Sequence, residues 1–419
     1  RRIWSLRSHA TIAKPRIQEF EKSWSNLHPR ERAKYLRSLA DQLRQNAEHL
    51  GTIETIDTGK IFRETKTQAN YIAEYYDYFA GLADKVEGTV VPIDKPDMQV
   101  TTTRIPIGVV AAIIPWNSQM LLTAVKLAPA LAMGNTVVIK ASELAPVTLL
   151  EFAKLVEKSG IPKGVVNIIT GLGEPCGKAL TTHDLVERIA FTGGPETAKH
   201  IVKNSAENLS QVSLELGGKS PVVVFDDAEQ ENALNGITAG IFGASGQSCI
   251  AGSRLYIQSK IYDDFLNKLI AKAEKIKLGA PMDNETQMGP MFNKRRIAWI
   301  NELIIDAQEK GAKVSSGGSQ IGSKGSFYAP TVLSDVPNTC RAMNEEPFAP
   351  LALISPFRKL DDAIEEANRL TFGLAAYGFT RSQASALRIQ SELHAGVIGV
   401  NQCVVSIPEA PFGGVNETG

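Results

Sequence analysis

The sequence has few cysteines, no excess of either charge and no long apolar run. Its 419 residues include four cysteines, and 45 lysines and arginines balance 45 acidic residues. Four cysteines cannot form the disulfide framework of a small secreted domain, and no pair is spaced as Cys-x-x-Cys, so no metal site is indicated. The balanced charge argues against nucleic acid or a membrane surface as a partner. The longest apolar run, residues 109–114, is far too short to span a bilayer.

The amino terminus lacks the apolar segment of a secretory signal. Residues 1–14 carry four basic side chains and no acid. This segment is either a remnant of a mitochondrial presequence or an irregular terminus with no targeting function. Free thiols are typical of a reducing compartment. We therefore expect a cytoplasmic protein, with the mitochondrial matrix as the alternative.

The apolar content of 43% is ordinary for a globular protein, and the length allows two or three domains with separate cores. In the first half, buried-strand patterns alternate with helical patterns. The strand patterns cover 109–114, 136–139, 165–169 and 188–191, and the helical patterns cover 36–50, 120–133, 147–159 and 196–205. This alternation predicts an α/β fold with a doubly wound parallel sheet, in which ligands bind beyond the carboxyl ends of the strands.

A second α/β unit begins at Ser220. Its strand patterns cover 220–225 and 349–355, and its helical patterns cover 262–276, 360–370 and 382–393. The segment 88–103 differs because it alternates and contains three consecutive threonines, which predicts an extended ribbon.

Cys249 ends the segment Gly-Ala-Ser-Gly-Gln-Ser-Cys, whose residues are too small and polar for an apolar core. A thiol on such a loop is a candidate nucleophile, because glycine lets the backbone approach a substrate closely. The alternative is a small buried thiol, the usual state of a free cysteine. None of the six histidines lies in a motif that would indicate a thiol hydrolase.

Glu215 lies in the segment Leu-Glu-Leu-Gly-Gly-Lys-Ser. The flanking leucines and the glycines favour a half-buried turn over an exposed strand end. A carboxylate in such a turn is a candidate general base.

Two predicted strands end in polar side chains. The first is followed by Pro-Trp-Asn117, where the Asn117 amide could donate to a developing oxyanion, although a plain turn is the alternative. The second is followed by Lys140-Ala-Ser142-Glu143, whose Lys140 and Glu143 could bind ribose hydroxyls, with a solvated loop as the alternative. An acid at this position disfavours a 2′-phosphate.

Two glycine-rich stretches are weaker indications. The stretch 171–177 is not Gly-x-Gly-x-x-Gly, because its third glycine is one place late. The stretch 191–195 leads into a predicted helix whose start could bind a phosphate.

Together these motifs resemble the NAD(P)-dependent aldehyde dehydrogenase superfamily, from about Phe20 to Gly419. The motifs that carry the resemblance are Pro115-Trp116-Asn117, Lys140-x-Ser142-Glu143, Phe191-Thr192-Gly193, Glu215-Leu-Gly-Gly-Lys219, Gly246-Gln-x-Cys249, Glu346-x-Phe348 and Pro411-Phe-Gly-Gly414. The resemblance implies a Rossmann-type doubly wound cofactor domain, an α/β catalytic domain and a small β oligomerisation ribbon. It assigns 1–87 and 104–217 to the dinucleotide-binding domain, 218–396 to the catalytic domain, and 88–103 and 397–419 to bridging or oligomerisation segments.

The resemblance also implies roles for single residues. Cys249 would be the nucleophile and Glu215 the general base, and Asn117 would form the oxyanion hole with the Cys249 backbone amide. The residues implied to bind the dinucleotide are Ile114, Pro115, Trp116, Lys140, Ser142, Glu143, Gly173, Phe191, Thr192, Gly193, Gly194, Thr197, Leu216, Gly217, Glu346 and Phe348. The residues implied to line the substrate tunnel are Ser118, Leu121, Leu122, Val125, Ile250, Ser406 and Phe412.

The implied reaction oxidises a small-molecule aldehyde to its carboxylic acid through a cysteine thiohemiacetal and a thioester. Glu143 favours NAD over NADP. Succinate-semialdehyde relatives commonly have an arginine where Val125 stands, so we expect uncharged aromatic or medium-chain aldehydes, with a succinate-semialdehyde-type dehydrogenase as the alternative.

Other functions stay open. A binding protein could keep the fold without turnover, and a CoA-acylating dehydrogenase is a second possibility, against which Glu215 weighs. A cysteine hydrolase without a cofactor would leave the strand-end motifs unexplained. Family members usually continue beyond the Pro-Phe-Gly-Gly motif, so we expect a chain shortened at both ends, whose full-length form is a homodimer or homotetramer.

Overall fold

The computed structural model describes residues 23–419, so the basic segment 1–14, for which a presequence remnant was one alternative, lies outside them. The described residues form two units, each with its own sheet. The first unit contains the described residues up to Ile53, Lys66–Thr192 and Glu196–Ser213. The second contains Glu54–Thr65, Gly193–Pro195 and Leu214–Gly419. Among residues 23–419, no helix has both the length and the apolar character needed to cross a membrane.

A two-stranded ribbon projects from the first unit. Strand β1 (Val90–Val91) pairs with β2 (Val100–Thr101) in antiparallel register. The ribbon exposes Val90 and Met98 to solvent. The predicted extended ribbon at 88–103 is therefore confirmed.

The main sheet of the first unit has five strands. They are β3 (Val109–Ile113), β4 (Thr136–Lys140), β5 (Val166–Ile169), β6 (Val186–Thr192) and β7 (Gln211–Glu215). Their order is β5-β4-β3-β6-β7, and β3 pairs in parallel with both β4 and β6. All five residues of β3 are buried, as expected for a central parallel strand.

Seven helices occur along the chain from residue 29 to residue 205. They are α1 (Pro29–Gln45), α2 (Ala47–Thr58), α3 (Phe62–Leu82), α4 (Gln119–Ala132), α5 (Val147–Lys158), α6 (Lys178–Thr181) and α7 (Pro195–Ser205). Apolar faces of α1, α4 and α5 supply the core of the first unit through side chains such as Leu36, Leu127 and Phe152.

The sheet of the second unit has seven strands. They are β8 (Pro221–Val224), β9 (Arg254–Gln258), β10 (Lys313–Ser316), β11 (Thr331–Ser334), β12 (Leu351–Phe357), β13 (Ala375–Phe379) and β14 (Val397–Val400). Their order is β10-β11-β12-β9-β8-β13-β14, and only the edge pair β10–β11 is antiparallel.

The remaining helices belong to the second unit. They are α8 (Gln230–Phe242), α9 (Tyr262–Glu274), α10 (Lys294–Glu309), α11 (Arg341–Asn344), α12 (Leu360–Asn368) and α13 (Gln383–Glu392). Arg254, at the start of β9, is fully buried and ties this unit together. Its guanidinium donates to the carbonyl oxygens of Lys219, Glu366 and Ala367, so it joins the segment between β7 and β8 to the last turn of α12.

The predicted class, α/β with parallel sheets, is confirmed, and each predicted strand and helix lies within a few residues of an observed one. The sequence reasoning did not find the helices α3, α6, α8, α10 and α11 or the strands β7, β9, β10, β11, β13 and β14. The assignment of dinucleotide-binding, catalytic and bridging roles to particular segments stays a prediction.

Candidate active site

The loop that carries Cys249 follows α8 and ends at β9. It begins with a tight turn, Gly243–Gly246, in which three consecutive residues have left-handed φ angles: 48° at Ala244, 56° at Ser245 and 70° at Gly246. A non-glycine residue in this conformation costs about 1–2 kcal/mol. At Gly246 an added Cβ would also lie 2.1 Å from the Ala349 carbonyl oxygen, so only glycine fits.

Side chains from the same unit fix this turn. The Ser245 hydroxyl donates to the Gly289 carbonyl oxygen at 2.8 Å. The Gln247 amide donates to the Ala244 carbonyl oxygen at 3.1 Å and accepts from the Phe292 N–H at 2.9 Å. The small polar residues before Cys249 therefore shape a constrained turn, which is why an apolar core is the wrong interpretation of this segment.

Cys249 is partly exposed and has no disulfide partner. Burial of its thiol, with the nearby negative charges of Glu346 and Glu215, raises its pKa to about 12, although the backbone N–H groups of Cys249 and Ile250 oppose the shift. The thiol is therefore protonated at neutral pH, and a nucleophilic role requires something to remove its proton.

Glu215 is the last residue of β7 and is half-buried. Its carbonyl oxygen accepts the Gly193 N–H at 3.1 Å. The glycines that follow it allow close packing, because a Cβ on Gly218 would lie 2.4 Å from the Cys249 carbonyl oxygen. The two catalytic residues predicted within this unit are thus brought to neighbouring loops.

Glu346 is the second carboxylate near Cys249. Its Oε1 accepts the Gly218 N–H at 3.0 Å, and a Cβ on Gly217 would lie 2.3 Å from its Oε2. Burial raises its pKa to about 7, against the Gly218 hydrogen bond and the positive charges of Arg296 and Lys219. The carboxylate can therefore gain or lose its proton near neutral pH.

Two basic residues beside Glu346 were not predicted to have a role. Arg296, near the start of α10, places its guanidinium 5.5 Å from the ring centroid of Phe348, a residue whose φ is 48°. Lys219 is fully buried, donates to the Ser253 hydroxyl at 3.0 Å, and has a pKa well below the usual lysine value because of burial. Lys219 stands in the predicted Glu-Leu-Gly-Gly-Lys motif, but no local pattern marks Arg296.

The end of strand β4 in the first unit carries the polar residues that were predicted to bind the cofactor. Lys140, the buried last residue of β4, pairs with Glu143 at 3.2 Å and donates to the Ala141 carbonyl oxygen at 3.1 Å. Ser142 accepts the Leu144 N–H at 3.2 Å. The buried lysine rules out a merely solvated loop at Lys140, and its pair with Glu143 fixes the side chain at the sheet edge.

The segment after β3 reaches the same edge of this sheet, since β3 and β4 are parallel. It contains Ile114 and Asn117, both buried, with Pro115 and Trp116 partly exposed between them. Asn117 stands just before Ser118, the residue that precedes α4. The prediction that Asn117 lies where a helix begins is confirmed.

The remaining predicted cofactor residues lie in both units. In the first unit, Phe191 and Thr192 are buried in β6, Gly173 is exposed in a turn, and Thr197 is exposed on α7. In the second unit, Gly193 is half-buried, Gly194 is exposed, and the buried Leu216 donates its N–H to the Thr418 carbonyl oxygen at 2.8 Å.

The predicted tunnel residues also divide between the units. In the first, Leu122 belongs to the hydrophobic core, and Leu121 and Val125 pack partly buried against it. In the second, Ile250 packs against a core cluster, and Ser406 and Phe412 are partly exposed. Within residues 23–419, no group of three or more His, Cys, Asp or Glu side chains could hold a metal ion.

The second unit therefore contains a constrained loop with a thiol whose pKa responds to two carboxylates, and in the first unit the strand ends of a parallel sheet carry polar groups. The model of the Aldehyde dehydrogenase family matches residues 8–419. The chain therefore belongs to the aldehyde dehydrogenase family, and the predicted resemblance is confirmed.

The similar proteins differ in their named substrates. The chain is 50% identical over 402 residues to (Z)-2-((N-methylformamido)methylene)-5-hydroxybutyrolactone dehydrogenase of Acinetobacter baylyi, covering 96% of this chain and 82% of that protein. It is 36% identical over 397 residues to the NADP(+) succinate-semialdehyde dehydrogenase of Escherichia coli, covering 95% and 82%.

A solved structure of a similar protein has the same fold. The crystal structure of betaine aldehyde dehydrogenase from Staphylococcus aureus in complex with NAD+ matches with a TM-score of 0.93 at 36% identity, covering 97% of this chain and 82% of that one. The aldehyde dehydrogenase-like fold class is thereby confirmed.

Proposed function

We propose that the protein oxidises an aldehyde to its carboxylic acid with NAD, with Cys249 as nucleophile and Glu215 as general base. The observation that carries this proposal is the close approach of two loops: a Cβ on Gly218 would lie 2.4 Å from the Cys249 carbonyl oxygen, and the Gly218 N–H donates to Glu346 Oε1 at 3.0 Å. A protonated thiol needs a base, and the negative charges of Glu346 and Glu215 both act on the pKa of this thiol.

The residues present fit a dinucleotide. Glu346 lies in a cradle that a Cβ on Gly217 would fill, and Lys140 and Glu143 form a fixed polar pair at a sheet edge. In the proposal, Glu346, Phe348, Lys140 and Glu143 hold the cofactor, with the other residues assigned by the family resemblance. Bound NAD supplies the hydride acceptor, and the protein supplies binding and orientation.

The chain's own residues carry the remaining steps. The Cys249 sulfur forms a bond to the carbonyl carbon, the thiol proton passes to a base, and the Asn117 amide donates to the oxygen that becomes negative. Loss of hydride from this adduct leaves a thioester on Cys249. Glu215 then takes a proton from water, which attacks the thioester carbon, and the carboxylic acid leaves as the thiol re-forms.

For substrate, we infer an uncharged aldehyde of aromatic or medium-chain type. Val125 is apolar and partly buried, and a substrate carboxylate placed beside it would lose hydration without gaining a partner. The alternative is a succinic-semialdehyde skeleton, which the names of two relatives share, because a 5-hydroxybutyrolactone is the ring-closed form of such a semialdehyde. Ring closure removes the carboxylate charge of the semialdehyde. The ring-closed form would therefore also be compatible with an apolar side chain such as Val125.

The deciding experiment measures formation of the reduced cofactor with benzaldehyde, hexanal, succinic semialdehyde and 5-hydroxy-2(5H)-furanone. We expect turnover of benzaldehyde or hexanal, and none by Cys249→Ala, which should still bind NAD. An advantage of about tenfold or more for succinic semialdehyde, equal to about 1.4 kcal/mol in the transition state, would reject the uncharged class. An advantage of the furanone would favour a ring-closed substrate, and the absence of any turnover would reject the dehydrogenase.

We also propose that the protein acts in the cytoplasm and that the full-length chain forms a homodimer or homotetramer. Its family membership and the exposed apolar side chains of the β1–β2 ribbon support the second point. Light scattering on a size-exclusion column would test it, and a monomer at micromolar concentration would contradict it.

A further inference from the structure

We propose that Glu64 is a positioning residue for Cys249, because its carboxylate holds the left-handed turn that precedes the nucleophile. This inference rests on the proposed role of Cys249. Both carboxylate oxygens of Glu64, in the first turn of α3, accept the Ala244 N–H at 3.3 Å. No sequence pattern links the two residues, since 180 positions separate them.

The turn needs such a partner. Ala244 and Ser245 both have left-handed φ angles although neither is glycine. Conformations of this kind persist only where the surrounding structure determines them. Ser245 and Gln247 are held by the bonds already described, and the Glu64 carboxylate is the partner of the first left-handed residue, Ala244.

The chemistry of Glu64 suits this task. A carboxylate that accepts a backbone N–H makes a stronger bond than a neutral acceptor does. The helix that carries Glu64 is anchored in the same unit, where the Phe62 N–H donates to the Pro281 carbonyl oxygen at 2.9 Å. Burial raises the pKa of Glu64, whereas the positive charges of Lys60 and Arg63 and the hydrogen bond from Ala244 favour its charged form.

The consequence concerns Cys249. While the turn is held, the loop keeps Cys249 in its observed position, in which burial raises the pKa of the thiol. If the turn relaxes, the thiol gains contact with water and becomes more reactive toward a small reagent, yet it no longer points in the direction that turnover requires. The signature of a positioning role is therefore faster alkylation together with slower turnover.

The test compares Glu64→Ala, Glu64→Gln, Ala244→Gly and the double variant Glu64→Ala/Ala244→Gly. Alkylation by iodoacetamide is followed at single cysteines by peptide mass spectrometry on the protein without cofactor, and kcat is measured with benzaldehyde and NAD. The exposed Glu74 of α3 supplies the control variant Glu74→Ala, which should behave as the parent. Cys340, which is fully buried, reports global loosening.

We expect Glu64→Ala to raise Cys249 alkylation and to lower kcat, each about tenfold, equal to about 1.4 kcal/mol. Glu64→Gln should fall between it and the parent, because an amide oxygen still accepts. The double variant should return both quantities toward the parent, because glycine adopts the left-handed conformation without strain.

Unchanged alkylation in Glu64→Ala, equal acceleration at Cys340, or no recovery in the double variant would each overturn the inference. A failure of the proposed function looks different: the parent would form no reduced cofactor from any aldehyde, while the alkylation pattern of Cys249 would still follow Glu64 and Ala244.

Discussion

At the scale of single residues, the candidate site combines a protonated thiol with two carboxylates of different character. Glu215 ends a strand, whereas Glu346 is held by a backbone N–H in a glycine cradle. Both negative charges raise the pKa of the Cys249 thiol. Replacing one glutamate at a time by glutamine would therefore measure the effect of each carboxylate separately.

We predict that Glu215→Gln leaves Cys249 able to attack but slows thioester hydrolysis by about 10² to 10⁴, the usual contribution of a general base. Intact mass spectrometry after mixing with aldehyde and NAD should then detect an acyl-enzyme on Cys249. The exposed Glu207 offers a matched control, Glu207→Gln, which should accumulate none. Equal steady-state rates for Glu215→Gln and the parent would reject the assignment of the base.

A second prediction concerns the pH dependence of thiol reactivity. Glu346 has a pKa of about 7, so its charge opposes the Cys249 thiolate only above that pH. Glu346→Gln should therefore alkylate Cys249 about threefold to tenfold faster than the parent above neutrality, and no faster in more acidic solution, where the parent carboxyl is already protonated. The control is Glu345→Gln, since Glu345 pairs with Arg341 instead. A rate ratio independent of pH would contradict the coupling.

The sequence predicted these residues unevenly. Cys249 and Glu215 lie among glycines and other small residues, so their chemistry is visible locally, whereas Glu346 was assigned only through the family resemblance. Glu64 and Arg296 act on residues far away along the chain, and neither is flanked by an unusual pattern. Only the fold brings them to the site, so reasoning from one sequence could not have found them.

At the scale of elements, the strands with continuous apolar runs were predictable and the others were not. The central β3 is buried throughout and reads as one apolar run. In contrast, β13 contains a glycine and a tyrosine, and β10 is a partly exposed edge strand, so neither has a clear pattern. Helix α3 was missed because its 21 residues mix charged and aromatic side chains along their length.

The turn before Cys249 gives a prediction at this scale. Gly246→Ala should destabilise the protein by more than the strain of a left-handed alanine, about 1–2 kcal/mol, because its Cβ would also meet the Ala349 carbonyl oxygen. Gly311→Ala is the matched control, since Gly311 is left-handed with nothing within 4 Å of its added Cβ. Urea unfolding followed by circular dichroism would measure both. If both variants lost the same free energy of unfolding, the predicted contact between the added Cβ at position 246 and the Ala349 carbonyl oxygen would make no contribution to stability.

At the scale of the whole molecule, the described residues form two units, each with its own sheet and its own set of predicted site residues. Cys249, Glu215 and Glu346 belong to the second unit, and Asn117, Lys140 and Glu143 to the first. A ligand that binds the native protein and not the unfolded chain raises the stability of the native state, so a dinucleotide bound as proposed should raise the melting temperature.

We therefore predict that NAD raises the melting temperature of the protein more than NADP does at equal concentration. The reason is Glu143, whose carboxylate pairs with Lys140 and would repel a 2′-phosphate. Ligand at about 100 times its dissociation constant contributes about 2.7 kcal/mol of stability, which differential scanning calorimetry resolves as a shift of a few degrees. Glu143→Ser should narrow the difference between the cofactors, while Glu151→Ser, which changes an acid on α5 that pairs with Lys154, should leave it unchanged. A larger shift with NADP in the parent would overturn the role given to Glu143.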